Sequence, residues 1–235
     1  MRIRTYSISS SPMLHPHHAT LTYSMLKEPA FANPAVQHVG VASSYLASLA
    51  PGDRLSVAVK PSSAAFHLPG DGEAETTPIV MVAAGAGIAP FRGFVQERAA
   101  QIAAGRKLAE AVLFFGCRNP VEDDLYRDEL DRWEALGAVK VRRAYSRTDG
   151  KQHVQDRMWE ERAELMALWE RGSKTYVCGS RGVAENVKRV VIRLAMEMQR
   201  LRVERGESDE EPSEQRAMQW FESIRNERYA MDVFD

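Results

Sequence analysis

The sequence predicts an α/β fold, a doubly wound parallel five-stranded sheet preceded by a smaller strand-rich portion. Three observations predict it. From Ile79 onward, short apolar runs alternate with stretches of helical period. The first of those runs, Ile79 to Ala83, ends in a glycine turn, Gly85-Ala86-Gly87, that opens a helix. Before residue 70 the grammar differs, with short segments broken by Pro, Gly and Ser.

In the first portion, Arg4 to Ser9, Ala19 to Leu26 and Arg54 to Lys60 read as strands. In the last of these Leu55, Val57 and Val59 alternate with Ser56 and Ala58, the period of two that puts one face inward. Gly40 to Leu46 reads as a turn opening a short helix, which Pro51-Gly52 stops. Residues 69–78 read as a linker, and a domain boundary is expected between residues 77 and 78. A helix from about Pro90 to Ala104 then leads to a strand at Ala111 to Phe115. A helix carrying Leu125, Leu130, Trp133 and Leu136 leads to a strand at Val139 to Tyr145. One helix is expected across Val154 to Trp169, a strand at Thr175 to Cys178, and a long helix at Val183 to Val203. After an acidic loop at Glu207 to Pro212, Ala217, Trp220, Phe221 and Ile224 mark one face of a helix, and Arg228 to Phe234 reads as the last strand. Such alternation implies parallel crossovers, and ligands then sit beyond the carboxyl ends of the strands.

Bulk composition narrows the function classes. Apolar residues make up 44% of the 235 and charged residues 27%, with Lys+Arg 31 against Asp+Glu 32 for a net charge of -1. Disorder and a basic nucleic-acid arm are excluded. Lys188, Arg189, Arg193, Arg200 and Arg202 share their helix with Glu185, Glu197 and Glu204, which makes a solvated face, and no nucleic-acid partner is expected. No run of about 18 apolar residues is present, nor an apolar stretch after Met1, so the expected compartment is the cytoplasm. Two cysteines, Cys117 and Cys178, are too few for a disulfide framework or an all-cysteine metal site. His15, His17 and His18 straddle Pro16 without a clear fourth ligand, so no metal is expected. No Ser-His-Asp or paired-carboxylate signature stands where nucleophilic or glycosidic chemistry needs it.

Three turns carry the chemistry. Gly85-Ala86-Gly87-Ile88-Ala89-Pro90 joins a strand to a helix, so backbone N–H groups and a helix N-terminus face an anion such as a pyrophosphate; a tight turn without a ligand is the alternative. Pro90 stands where the dinucleotide fingerprint has its third glycine, and suits a first helical turn. Ser146-Arg147-Thr148-Asp149-Gly150-Lys151 follows the strand near which the adenosine ribose lies in such folds. A hydroxyl and two cations there favour a 2′-phosphate, hence NADP over NAD, against the alternative of a solvated basic loop. Cys178-Gly179-Ser180-Arg181 and Cys117-Arg118 end strands in the same crevice. Each thiol is either a contact for a reactive ring or a small buried apolar group, and Arg118 either pairs with phosphate or caps the surface.

In this order the motifs resemble the ferredoxin–NADP reductase superfamily, specifically its diflavin branch. Arg4-Thr5-Tyr6-Ser7-Ile8-Ser9 is similar to the family's FAD motif, and Gly40-Val41-Ala42-Ser43 to its second FAD element. Phe115-Gly116-Cys117-Arg118, Tyr176-Val177-Cys178-Gly179 and Tyr229-Ala230-Met231-Asp232-Val233-Phe234 complete a set that spans the whole chain. The wording of Gly40 to Leu46 and of Ala89 to Gln96 is most similar to NADPH–cytochrome P-450 reductases, among them the reductase half of self-sufficient fatty-acid hydroxylases.

The resemblance implies a partial FAD-binding β-barrel in residues 1–77 and an NADP-binding domain in residues 78–235. It assigns Arg4 to the FAD pyrophosphate, Tyr6 to stacking on the isoalloxazine, Ser7 to a hydrogen bond near flavin N5, and Thr22 to a contact from the neighbouring strand. Gly40, Val41, Ala42 and Ser43 would give donors to the pyrophosphate, and Phe234 would stack on the flavin. Gly85 and Gly87 would face the NADPH pyrophosphate. Arg118, Ser146, Arg147, Lys151 and Gln155 would hold the nucleotide, and Ser7, Cys178 and Asp232 would position the nicotinamide for hydride transfer. The implied activity is an NADPH–haemoprotein reductase, with FMN and haem on partner domains: electrons would leave through an FMN domain toward a haem monooxygenase of the cytochrome P-450 type. The alternatives are the reductase portion of a nitric-oxide synthase or sulfite reductase flavoprotein, a non-catalytic NADP-binding module, and an inert fragment that associates through an exposed barrel edge.

Several residues depart from the family pattern. Ala86 stands for Thr, His153 for Tyr, Ser180 for Asp, and Phe234 for a flavin-shielding Trp. The family's earlier barrel strands, connecting domain and FMN domain have no counterpart after Met1, so a piece of a larger enzyme is expected.

Overall fold

A computed structural model describes residues 3–31, 33–62 and 65–234. Its centre is a five-stranded, wholly parallel sheet made of β3 (Ile79–Ala84), β4 (Ala111–Cys117), β5 (Lys140–Tyr145), β6 (Lys174–Ser180) and β7 (Tyr229–Phe234). Two short strands earlier in the chain, β1 (Lys27–Ala30) and β2 (Asn33–Val39), form an antiparallel hairpin, and α1 (Val41–Ser48) follows it. The strand order in the main sheet is β5-β4-β3-β6-β7. The chain therefore winds outward from β3 in one direction, returns, and winds outward in the other. The reversal lies between β3 and β6, where a doubly wound sheet opens its ligand crevice.

Both faces of the sheet are covered, which is why its strands read as apolar runs rather than alternations. On one face Ile79, Met81, Leu113, Phe115, Tyr176 and Cys178 pack against α2 (Ala89–Ala103) and α3 (Arg127–Ala135). On the other, Val80, Val82, Val112, Phe114 and Val177 meet α4 (Val154–Glu160), α5 (Arg162–Glu170), α6 (Arg181–Glu204) and α7 (Glu214–Ile224). Ser180 starts α6 with its side chain accepting from the Val183 N–H, a capping bond that satisfies one of the helix's four orphan donors. Arg98, almost wholly buried on α2, donates to the carbonyls of Ala138 and Ala109 at 2.9 and 2.6 Å and so ties the helix to the entries of β5 and β4. Burial lowers its pKa to about 10.

The earlier chain is anchored to this body. Phe66 is buried among Phe91, Phe94 and Tyr176, with ring centroids 5.6 to 5.8 Å apart, and the Tyr176 hydroxyl donates to the His67 carbonyl at 2.7 Å. Ala74 is buried and accepts from Ala109 N–H at 2.9 Å.

Four sequence expectations need correction. Arg4 to Ser9 and Ala19 to Leu26 are extended but not strands, because their backbone pairing is limited to the single Ile8–Leu21 bridge and the Ser9 N–H to Thr20 carbonyl bond. Arg54 to Lys60 forms no strand, since among the described residues its backbone has no ladder partner; Val57 and Val59 are accordingly 73% and 81% exposed. The hairpin at 27–39, with Pro29 and Pro34 inside it, was not expected from the pattern, because proline demotes a run. The helix expected across Val154 to Trp169 is two helices, interrupted at Glu161 (φ -88, ψ 20). Val154, Met158, Leu165 and Leu168 are all buried on both sides of the break, so the periodicity predicted one helix where the backbone makes two.

Candidate functional site at the carboxyl edge of the sheet

The carboxyl ends of β3, β6 and β7 meet at the crevice. After β3, Gly85–Ile88 forms a turn of 3-10 helix that runs directly into α2, with Pro90 in its first turn. Gly85 takes a left-handed φ of +53, and a Cβ there would meet nothing within 4 Å, so this part of the turn is open. Gly87 has a different reason to be glycine. A Cβ there would stand 2.2 Å from the carbonyl oxygen of Cys178 and 3.1 Å from the Gly179 Cα. The glycine turn and the cysteine turn are thus packed backbone to backbone, and their closeness fixes the floor of the crevice.

Three residues far apart in sequence gather at that floor. Cys178 lies opposite Asp232 in the β6–β7 register, and the Ser7 hydroxyl donates to the Asp232 carboxylate at 2.6 Å. The Cys178 thiol is fully buried; burial, then the Asp232 carboxylate, pushes its pKa up, with a Ser7 hydrogen bond pulling the other way. Burial likewise raises Cys117, with Asp124 and Asp123 adding to the effect, so both sulfurs stay protonated at neutral pH. Phe234, at the end of β7, is 41% exposed.

Arg118, Arg147 and Lys151 stand along the same edge, beyond β4 and β5. The Ser146 N–H donates to the Cys117 carbonyl at 2.9 Å and the Arg147 N–H to the Arg118 carbonyl at 2.7 Å, which sets Arg118 and Arg147 side by side. Arg118 is held by its own N–H donating to Asp123 at 2.8 Å. Arg118, Arg147 and Lys151 are exposed, Ser146 and Gln155 half-buried, and among the described residues none of the three cations has a carboxylate partner. His153 precedes α4, its N–H bonded to Asp156 at 2.9 Å.

On the opposite flank, Tyr6 is half-buried and meets Tyr23 edge-on at 5.9 Å, and Arg4 is exposed. The hydrogen bonds of Gly40 and Ser43 run to Leu26 rather than to the Ser7 group, and the Ser43 hydroxyl also donates to the Gly40 carbonyl at 3.1 Å. Val41, Ala42 and Ser43 form the start of α1. Thr22 lies with its hydroxyl 2.6 Å from that of Tyr126.

Sequence reasoning missed two groups here. Asp124, with 1% of its side chain exposed, pairs with Arg127 at 2.8 Å and Arg143 at 3.0 Å and accepts from the Tyr145 hydroxyl at 3.0 Å, stitching the ends of β4 and β5 to α3. Arg92 is the second, bonded to Glu129 at 2.7 and 2.9 Å. The Asp124-Arg127 spacing is the only local signal; the other partners lie too far along the chain to be paired by pattern. Among the described residues no group of His, Cys, Asp and Glu could hold a metal, and no helix is long and apolar enough to cross a membrane.

On this parallel sheet with its glycine turn, residues 81–189 match the family model of the oxidoreductase NAD-binding domain. The whole chain is 52% identical to a bifunctional cytochrome P-450/NADPH–P-450 reductase of Fusarium oxysporum. It is 49% identical to a self-sufficient cytochrome P-450 monooxygenase of Phanerodontia chrysosporium and 44% identical to a bifunctional reductase of the same description from Acremonium egyptiacum. Each alignment covers 100% of this chain and 21 to 22% of the relative, so the chain spans about a fifth of the length of the relatives it matches. Along its whole length the chain is similar to the reductase half of these P-450 fusions.

Proposed function

We propose that this chain binds NADPH along the carboxyl edge of the sheet and orients its nicotinamide toward FAD, as the first step of electron delivery through an FMN domain to a cytochrome P-450 haem domain. The observation that carries the reading is the meeting of Ser7, Cys178 and Asp232, drawn from segments up to 225 residues apart, at the floor formed by the glycine turn. The arrangement fits a dinucleotide: an open turn at Gly85, exposed cations without carboxylate partners among the described residues, and a buried neutral thiol beneath the reacting end.

On this reading residues 1–77 are the flavin side, part of a flavin-binding barrel, and residues 78–235 the nucleotide side. Arg147 and Lys151, with Ser146, receive the 2′-phosphate, Arg118 pairs with the pyrophosphate and Gln155 meets the adenosine. Gly85 and Gly87 let backbone approach the nucleotide closely. The Ser7 hydroxyl donates its hydrogen bond to the Asp232 carboxylate, so its oxygen presents lone pairs toward the flavin. Cys178 keeps its proton and offers a polarisable, water-excluding surface to the nicotinamide. Arg4 and the first N–H groups of α1 face the FAD pyrophosphate; Tyr6 and Phe234 flank the isoalloxazine, with Thr22 beside it. The chemistry supplied by the bound pair is hydride transfer: the C4–H bond of the reduced nicotinamide breaks as the flavin N5–H bond forms.

The test is an anaerobic single-turnover measurement on FAD-loaded protein with NADPH. Asp232→Asn and Ser7→Ala are expected to slow flavin bleaching by about a hundredfold, the order expected when a positioning group is lost. Affinity for 2′,5′-ADP, which reads only the adenosine end, should hold within about twofold. Bleaching at the unaltered rate in both variants overturns the reading.

A further inference from the structure

Arg92, at the end of the first turn of α2, makes more connections than any role named above requires. Its guanidinium grips Glu129 of α3 with two bonds at 2.7 and 2.9 Å, and a third N–H bond reaches the Ser9 carbonyl at 2.7 Å, with Thr20 Oγ1 at 3.3 Å. It also lies over the ring of Tyr126 at 4.5 Å. Tyr126 precedes α3 in a left-handed conformation (φ 60), uncommon for a bulky residue, and its hydroxyl is 2.6 Å from that of Thr22. A planar, five-donor group suits such a junction; a lysine's compact ammonium lacks the fork that spans Glu129 on one side and Ser9 and Thr20 on the other.

The residues gripped are the ones next to the reacting end. Ser9 and Thr20 are bonded to each other through both backbone and hydroxyls, so fixing them fixes the paired segments that carry Tyr6, Ser7 and Thr22. A little further on, Ser11 N–H donates to the buried Gln96 side chain at 2.7 Å, one turn along α2 from Arg92. α2 itself begins at the glycine turn, whose Gly87 abuts Cys178. One short path therefore runs from Cys178 through α2 and Arg92 to Ser7.

We propose that Arg92, backed by Tyr126 and Glu129, is the positioning residue that sets the depth of the flavin-side segment against the nicotinamide crevice. The inference rests on the proposed hydride transfer, and deepens it by naming what holds donor and acceptor sides in register. Displacing reacting groups by about 1 Å costs up to a hundredfold in rate, so a loosened clamp shows in chemistry before it shows in binding.

The experiment uses the whole chain carrying Arg92→Lys or Tyr126→Phe, with two readouts. Amide hydrogen exchange should rise at least tenfold in residues 6–22 and stay unchanged in β3 and β6. Hydride transfer should fall at least tenfold in Arg92→Lys, and less in Tyr126→Phe, with 2′,5′-ADP affinity within twofold of the unaltered chain. Unchanged protection of residues 6–22 in Arg92→Lys overturns the proposal, as does a loss of 2′,5′-ADP affinity parallel to the loss of rate, which marks general damage. If the unaltered chain transfers no hydride, the proposed function fails; the exchange result then decides the clamp alone.

Discussion

Replacing Gly87 by alanine is the sharpest perturbation of the crevice floor. The new Cβ would sit 2.2 Å from the Cys178 carbonyl oxygen and 2.7 Å from its carbon. An ordinary carbon–oxygen contact is roughly 3.3 Å, so the glycine turn and the end of β6 must part by about 1 Å. Both partners are backbone, and Cys178 is fully buried in a central strand, so no side chain can swing aside. Overpacking costs about 1–3 kcal/mol, and this site belongs at the upper end. At about 2–4 °C per kcal/mol for a chain of this size, Tm should fall by roughly 6–12 °C. Gly85→Ala is the control: its space is open, and only the left-handed backbone (φ +53) resists, at about 1–2 kcal/mol. Urea unfolding of the two variants gives the comparison, with hydride transfer expected to fall further in Gly87→Ala. A Gly87→Ala protein within about 0.5 kcal/mol of the parent, against an expected cost at the upper end of the overpacking range, or less affected than Gly85→Ala, refutes the packing argument.

Arg147→Ala and Lys151→Ala should each weaken NADP+ binding about tenfold, roughly 1.4 kcal/mol, by titration calorimetry while leaving NAD+ affinity unchanged; an equal loss for both nucleotides contradicts the 2′-phosphate assignment. Burial raises the pKa of Cys117, Cys178, Tyr176 and Tyr229, so the folded state keeps protons that the unfolded state releases. Stability should accordingly decline as pH rises past the ordinary thiol value of 9.0, and a Cys117→Ala, Cys178→Ala double variant should show a shallower decline in urea titrations from pH 8 to 10. Phe234→Trp places a larger ring at the exposed end of β7, so nicotinamide entry should slow and the preference for NADPH over NADH should rise. An unchanged ratio and unchanged rate of flavin reduction speak against a shielding role for Phe234.

The sheet was legible because its strands are short apolar runs separated by stretches of helical period. Ile79 to Ala83 and Ala111 to Phe115 were located within two residues of β3 and β4. Of the first 60 residues the turn and short helix at Gly40 to Leu46 were legible and the strands were not, since strands are made by partners rather than by pattern: Leu55, Val57 and Val59 alternate well and still pair with nothing among the described residues. Ser7, Cys178 and Asp232 were grouped by resemblance, and the structure brings them together. Arg92 and Asp124 escaped notice because their partners, Ser9, Glu129, Arg143 and Tyr145, become neighbours only when the sheet and α3 assemble. The reason for Gly87 was also hidden, as a glycine that accommodates a neighbouring strand reads like one that admits a phosphate.

The most direct test of the central claim is to mix the FAD-loaded chain with NADPH and, separately, NADH without oxygen, and follow the flavin's visible band. Rapid bleaching by NADPH, much slower bleaching by NADH, and loss of the NADPH phase in Asp232→Asn are the expected results. A chain that binds 2′,5′-ADP but leaves the flavin oxidised under NADPH contradicts the account, and makes this edge of the sheet a nucleotide-binding site only.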